Sequence, residues 1–458
     1  MTQKKLTVGQ KLGFGIFDLG GNLLFTLMGF WSLKYLTDVA GLGAALAGAA
    51  VMVGKAWDAV TDPMMGYISD RTITPLGRRR PYLLAGAIPM MLTLWLFFSI
   101  GNIPNQIELM LLATGILMLV NTASTIINVP YSSLTPELTD DYHERTSLNG
   151  YRFGCAVFGT LLGAAAVLPL VGIFGGGKHG WSMMGLIFGA IMAFVTFLTF
   201  FGTKEKKHTK ADIPKERFFS TYKAVFSNKP YVILFFTYGL YLTAMTFLQG
   251  IVAYYIGYVY PGELVMRMAS GASEAALRGR LTSLSMLASL LTAMVCIPIS
   301  VMVSKKIGKK RTYQICFAFL GLSSVIIFTA GHLMPPKLFL LFRLLSGIGI
   351  GFGYVAPFAM LPDTVEFDAV NTGERKEGAY YGMWTFVSKV GMALSAFISG
   401  LVLNWGGYVA NTAQGPSAKM AIRLLIGPIP AAIFIGGLIL MHFYPLDEKT
   451  YKKMMGQQ

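Results

Sequence analysis

The chain has 458 residues, 54% of them hydrophobic and 13% charged, and carries a formal net charge of +16. Soluble globular proteins carry about 25% charged residues, so this composition, with a mean hydropathy of +0.57, excludes that class and points to the membrane. In a soluble chain +16 would suggest a nucleic-acid partner; here the basic residues mark membrane topology, and no nucleic acid is expected.

Windows of about 20 apolar residues, the length a helix needs to cross about 30 Å of hydrocarbon, recur along the chain. They predict an all-α membrane protein of twelve transmembrane helices, over about 13–36, 42–65, 81–101, 108–130, 150–172, 181–202, 231–256, 281–303, 312–332, 337–361, 379–402 and 421–443. Alternate loops and both tails hold 26 of the 38 Lys and Arg, the opposite loops six, and the spans the remaining six. That bias, with an even number of spans, places both termini in the cytoplasm of a cell (inner) membrane protein.

Span 1 carries Asp18 early and Asn22 one turn later. Its length and Asp18 argue against a cleaved signal peptide, despite Lys4, Lys5 and Lys11 before it. Span 2 has no charge from Leu42 to Gly54 and then runs Lys55-Ala56-Trp57-Asp58-Ala59-Val60-Thr61-Asp62-Pro63. Asp58 and Asp62, four apart, share one helix face. Each charge costs roughly 2.5–3.5 kcal/mol on insertion scales, so a chain that keeps two together uses them. With the Thr61 hydroxyl they offer oxygen ligands suited to a hard cation such as Na⁺. A proton serves equally, because adjacent carboxylates disfavour double ionisation. Pairing with Lys55 or Arg152 is the structural alternative. Pro63 interrupts the local hydrogen-bond pattern.

Arg71, Arg78, Arg79 and Arg80 lie in the loop after span 2. In span 4, Asn121, Ser124, Thr125 and Asn128 fall on one helix face. Such a face suits a hydroxylated substrate, or else hydrogen bonds between helices. Asp140, Asp141 and Glu144 precede span 5, which opens on Arg152. Arg71 and Arg78–Arg80 are expected to latch the cytoplasmic side against Asp140, Asp141 and Glu144, or against Glu366 and Asp368. Cys155, Cys296 and Cys316 lie in separate spans without disulfide or metal spacing, and the five His are scattered.

The chain repeats itself at half its length. Gly77 and Gly308, each followed by three basic residues, are 231 apart, and Arg145 and Arg375 are 230 apart. Two six-helix bundles, 1–203 and 231–458, joined by a cytoplasmic linker over 204–230, follow from this repeat. Parallel six-span halves are the major facilitator architecture, with substrate expected near the midplane between bundles.

In span 10, Gly347, Gly349, Gly351 and Gly353 mimic a nucleotide loop but have no preceding strand and no following Lys-Ser/Thr. They read as small-residue contacts between helices. Arg343 in the same span reads as structural or gating. Lys389 lies midway along span 11, in a stretch from Ala379 to Leu403 otherwise free of charge. It needs a carboxylate or a water-filled cavity. Asp18, Asp58 and Asp62 are the acids able to meet it at depth, and a charge pair across the bundles would be a switch. Trp57 and Trp384 are candidates to stack on a sugar ring, with packing as the alternative.

These residues resemble those of the glycoside-pentoside-hexuronide:cation symporters, the family of melibiose permease, over about 12–410. The most specific piece is Trp57-Asp58-Ala59-Val60-Thr61-Asp62-Pro63, similar to the family's cation-site motif. Gly13 to Val39 is similar to its span 1, Thr125 to Tyr131 to its span 4, and Trp384 to Lys389 to its span 11. The resemblance implies that Asp58, Asp62 and Thr125 contact the coupling cation, with Thr61 beside them. It implies that Asp18 and Arg152 hold sugar hydroxyls and that Lys389 lies between the two sites. Asn128 stands where the melibiose branch has an acidic sugar ligand, and Ser132 where it has an aromatic, so that branch's galactoside is not expected.

The expected function is symport of a cation, Na⁺ or H⁺, with a sugar or glycoside by alternating access. A cation-coupled lysophospholipid symporter of the same fold is the alternative. The expected partners are the sugar, the monovalent cation and membrane lipid. The chain is expected to act as a monomer, without an enzymatic centre or a cofactor beyond the coupling ion.

Overall fold

The computed structural model describes residues 6–101, 103–134, 138, 142–203, 205, 225–373, 377–446 and 450. Regular structure among them is helical throughout. Ten helices are long and apolar enough to cross a membrane, and a bent pair, Ser147–Ala165 with Val167–Ile173, makes an eleventh span. The twelfth is Ala44–Arg71, a 28-residue helix. At 1.5 Å per residue it is about 42 Å long, ample for a span, and its Lys55, Asp58 and Asp62 lower its hydropathy.

The chain divides into two compact units, 1–215 and 216–458. The first holds α1 (Val8–Gly15), α2 (Phe17–Asp38), α3 (Ala44–Arg71), α4 (Arg80–Phe97), α5 (Gln106–Ser132), α6 (Tyr142–Ala165), α7 (Val167–Ile173) and α8 (Gly177–Gly202). Thr7 opens α1 with a capping box, exchanging hydrogen bonds with Gln10. Four pairings build the unit: α2 on α6, α3 on α5, and α4 on both α5 and α8. Absent side chains set the approach of α2 and α6. A methyl group built on Gly159 would stand 2.0 Å from the Leu19 carbonyl oxygen, and one on Gly163 2.6 Å from that of Leu23. Trp31 closes the same contact by donating its indole N–H to the Gly163 carbonyl at 3.0 Å. The α6–α7 bend of 55° falls at Ala166. Pro169 lacks the N–H that would bond Ala165, and its ring crowds that carbonyl, so the helix turns there.

The second unit holds α9 (Lys229–Gly250), α10 (Val252–Tyr254), a π-turn over Tyr255–Val259, α11 (Gly262–Met266), α12 (Glu274–Ile307), α13 (Lys309–Ala330), α14 (Pro336–Thr372), α15 (Glu377–Trp405), α16 (Pro416–Ile426) and α17 (Pro428–His442). The glycines of α14 face three neighbours. Methyl groups built on Gly347 and Gly351 would meet the Ser289 and Ala293 carbonyls of α12 at 2.4 and 2.6 Å. One on Gly349 would meet Leu320 of α13, and one on Gly353 the Tyr241 ring of α9. Small residues here admit helices to backbone contact, as the spacing predicted.

The sequence repeat is visible in the backbone. Gly77 and Gly308 both take positive φ, +109° and +88°, at the turn leading into the third membrane span of each half. L side chains rarely adopt that region, so glycine is required at both. Of the expected linker, only residues 205 and 225–230 are described.

Candidate functional site

The paired acids of α3 meet α5. Asp58 is 6% exposed, Thr61 8% and Thr125 3%; Asp62 is half-buried. The Thr125 hydroxyl donates to Asp62 Oδ1 at 2.8 Å and lies 3.4 Å from Asp58 Oδ1. Thr61 Oγ1 stands 3.4 Å from the same hydroxyl and within 3.3 Å of the Trp57 carbonyl oxygen. Two carboxylates and two hydroxyls therefore converge in one buried cluster. They converge because Gly54, one turn before Asp58, lets α5 approach: a methyl there would stand 3.0 Å from Leu117, and Asn121 donates to the Gly54 carbonyl at 2.6 Å. Lys55 Nζ is 3.8 Å from Asp58 Oδ2. Lys55 thus shares the cluster, whereas Arg152 pairs elsewhere. The Trp57 indole N–H donates to Thr122 Oγ1 at 2.9 Å, and the ring is 36% exposed. Pro63 and Pro130 both lie inside their helices, so the Ala59 and Ile126 carbonyls lack their usual helical partners beside the cluster.

A second cluster lies on α2, α5 and α6. Arg152 donates to Asp18 through Nε at 2.7 Å and Nη2 at 3.3 Å, a two-pronged ion pair. Tyr131, 2% exposed, donates its hydroxyl to Asp18 Oδ2 at 2.5 Å, with the Phe14 carbonyl 3.1 Å away. The Tyr131 ring packs against Phe14 and Phe17, and the guanidinium lies 5.0 Å above it. Asn22 donates to the Asp18 carbonyl at 2.9 Å. Asn128 donates to Ser124 Oγ at 2.8 Å, and its Oδ1 would lie 3.4 Å from a methyl on Gly21. Asp18, Asn22, Asn128 and Arg152 are thus neighbours. Tyr131, which entered the sequence analysis only as the end of the span 4 segment, joins them through its hydroxyl. Its place one turn after Asn128 on the polar face of span 4 was the available signal.

The second unit holds Trp384 and Lys389 on α15. Trp384 is 4% exposed, with Tyr238 stacked on it at 3.9 Å and 7° and Phe358 against it edge-on at 6.0 Å. Trp384, offered as a ring to stack on a sugar, packs here against these two side chains. Lys389 is half-buried, midway along α15.

The loop charges Arg71 and Arg78–Arg80 lie around the turn from α3 to α4. Asp140 and Asp141 lie outside the described residues. Glu144 pairs with Lys11 at 3.0 Å. Arg79 pairs with Asp70 at 3.2 Å, while Arg71 lies over its own neighbour Tyr67. A further partner of this loop is Glu205, which the sequence analysis placed in the linker. Its carboxylate accepts the Arg79 N–H at 2.9 Å and the Arg80 N–H at 3.2 Å, capping the start of α4. It occupies the space a Gly77 side chain would fill. In the second unit the same turn is held by Lys309, which bonds Asp363 at 2.6 Å.

Among the described residues no group of three or more His, Cys, Asp or Glu could hold a metal ion. The oxygens of Asp58, Asp62, Thr61 and Thr125 are the set that could take a monovalent cation.

Comparison with known proteins gives the same picture. The chain is 31% identical to an uncharacterised symporter of Bacillus subtilis (strain 168), covering 99% of this chain and 95% of the relative. It is 29% identical to the isoprimeverose transporter of Lactiplantibacillus pentosus, covering 97% and 90%. The crystal structure of the nucleoside transporter NupG superposes with a TM-score of 0.65 over 95% of this chain and all of that one, at 13% identity, which shows the fold. The sequence profile of the MFS/sugar transport protein family matches residues 13–448. This multi-pass membrane protein therefore belongs to that family of transporters, as the resemblance to the glycoside-pentoside-hexuronide:cation symporters implied.

Proposed function

We propose that the chain is a symporter of the cell (inner) membrane, with both termini cytoplasmic, that couples inward movement of Na⁺ or H⁺ to uptake of a sugar or glycoside by alternating access. The observation that carries this reading is the convergence of Asp58 and Asp62 on the Thr125 hydroxyl, inside a chain of a sugar-transport family. In it, the cation is cargo, held by Asp58, Asp62 and Thr125 with Thr61 beside them. The sugar contacts Asp18, Asn22, Asn128 and Arg152, with Trp57 beside the cation cluster offering a partly exposed ring. Lys389 takes part in coupling.

One helix supports the coupling. α5 carries Thr125, bonded to Asp62, and six residues later Tyr131, bonded to Asp18. At 1.5 Å per residue those anchors are about 9 Å apart along one rigid element. A cation that draws the Thr125 oxygen toward itself shifts the helix that holds the Asp18–Arg152 pair. Linkage makes the effect reciprocal: the cation raises sugar affinity by the same factor as the sugar raises cation affinity. The relatives reported above favour a sugar cargo over a lysolipid.

The test is uptake by the purified, reconstituted chain of a panel of glycosides, pentosides, hexuronides and lysolipids, under separate Na⁺ and H⁺ gradients. Uptake of at least one sugar, raised by one of the gradients, is expected. Gradient-independent uptake, or transport of lysolipid alone, defeats the reading.

A further inference from the structure

Arg343 is the most deeply buried charge among the described residues of the second unit. It lies seven residues into α14, about 10 Å from the helix start, and is 1% exposed. A guanidinium keeps its charge at any physiological pH. Its partners are two neutral groups at the limit of hydrogen-bond length: Nη2 reaches Gln249 Oε1 and Ser289 Oγ, both at 3.4 Å. Charge-assisted bonds run about 2.7–2.9 Å. Nε is buried with no partner.

No described carboxylate of the unit is in a position to compensate it. Asp363, Glu366 and Asp368 lie 20 or more residues further along α14, about 30 Å or more. Glu274 pairs with Arg278 and stands 15 residues, about 22 Å, before Ser289 on α12. Glu263 is exposed. Other polar side chains, however, gather at Arg343. Gln249 comes from α9 and Ser289 from α12. Ser346, one turn on along α14, shares its hydrogen with Ser323 of α13 at 2.5 Å. All four are at most 3% exposed. The helices α9 and α12 thus bring neutral hydrogen-bonding groups to one buried cation, and α13 and α14 pair two buried hydroxyls one turn further along α14.

Removing a charge from water without pairing it is strongly unfavourable, and ionisable groups kept within membrane helices mark ligand pathways. We propose that this cluster is an anion site: Arg343, with Gln249 and Ser289 on it and the Ser323–Ser346 pair one turn further along α14, binds a small monovalent anion. The shared chemistry is one negative charge bearing hydrogen-bond acceptors. Its source is either a free halide or the anionic group of an acidic sugar.

The test is thermal unfolding of the purified full-length chain at constant Na⁺ and ionic strength. Sodium chloride replaces, in steps, the sodium salt of a bulky sulfonate buffer, and D-glucuronate is compared with D-glucose in parallel. A ligand that binds only the folded state raises Tm saturably. A saturable rise with chloride that Arg343→Gln abolishes supports the site with a free anion. A rise with glucuronate, absent with glucose and chloride and lost in Arg343→Gln, supports it with an acidic cargo. No saturable rise with either anion, or one retained in Arg343→Gln, overturns the proposal. If Arg343→Gln does not fold, Arg343→Lys decides: it keeps the charge without the planar fork, so half-saturation should move at least about tenfold upward. An unchanged half-saturation overturns the site. The readout needs no transport and stands apart from the symport reading.

Discussion

Replacing Thr125 by Ala removes one oxygen from the centre of the α3–α5 cluster. That oxygen lies 2.8 Å from Asp62 Oδ1 and 3.4 Å from Asp58 Oδ1, so it contacts both acids. A hydrogen bond to a charged group contributes about 1.5–3 kcal/mol. Taking about 2 kcal/mol for the lost ligand, the cation concentration giving half-maximal uptake should rise about 30-fold. The helix itself should survive, because Ala is a better helix former than Thr. Thr125→Ser keeps the hydroxyl and should stay within about threefold of the wild type. The assay is initial uptake by proteoliposomes across a Na⁺ series at fixed pH and a pH series without Na⁺. An unchanged half-maximal concentration in Thr125→Ala, for whichever ion couples, would show that the hydroxyl is not a ligand and that its bond to Asp62 is packing.

Arg152→Gln should leave the Asp18 carboxylate with Tyr131 alone; since breaking a buried pair costs roughly 3–5 kcal/mol and this one is partly exposed, a loss of at most about 3 kcal/mol is expected. The double variant Asp18→Asn, Arg152→Gln should recover most of the lost Tm without recovering sugar uptake; recovered uptake would make the pair purely structural. Gly159→Ala would place a methyl 2.0 Å from the Leu19 carbonyl oxygen, forcing α2 off α6, and overpacking of this kind costs about 1–3 kcal/mol or more. A fall in Tm is expected there and none for Gly154→Ala, where nothing lies within 4 Å; equal effects would refute the close approach. Lys389→Ala should lower the cation's stimulation of uptake, and unchanged uptake with unchanged cation dependence would reduce Lys389 to a structural role.

The fold was largely legible because span length and hydropathy are properties of contiguous sequence. Helix ends were less so where charged turns continue a helix past its apolar part, as α3 does to Arg71 and α14 to Thr372. The α6–α7 bend needed Pro169 to be weighed against the length of its span. Within the candidate site, Asp58 and Asp62 stood out by their spacing, and Thr125 followed from the resemblance. The hydroxyl bond from Tyr131 to Asp18, across 113 residues, has no local signature. The cover on Trp384 by Tyr238 is also long-range, so a ring that looked available in sequence is packed in the fold. Glu205 was read as part of a linker, although its carboxylate caps α4 from the end of α8. Arg343 was visible as a charge in an apolar span, but that its hydrogen-bond partners are the neutral Gln249 and Ser289 is a three-dimensional fact.

The central claim is that Asp58 and Asp62 hold the coupling cation. Its most direct test is cargo uptake by proteoliposomes of the wild type, Asp58→Asn and Asp62→Asn, with and without inward Na⁺ and H⁺ gradients, each protein first checked for folding by its thermal transition. The account predicts that a gradient drives uptake in the wild type and that neither folded variant responds to it. Full cation dependence in both variants would contradict it.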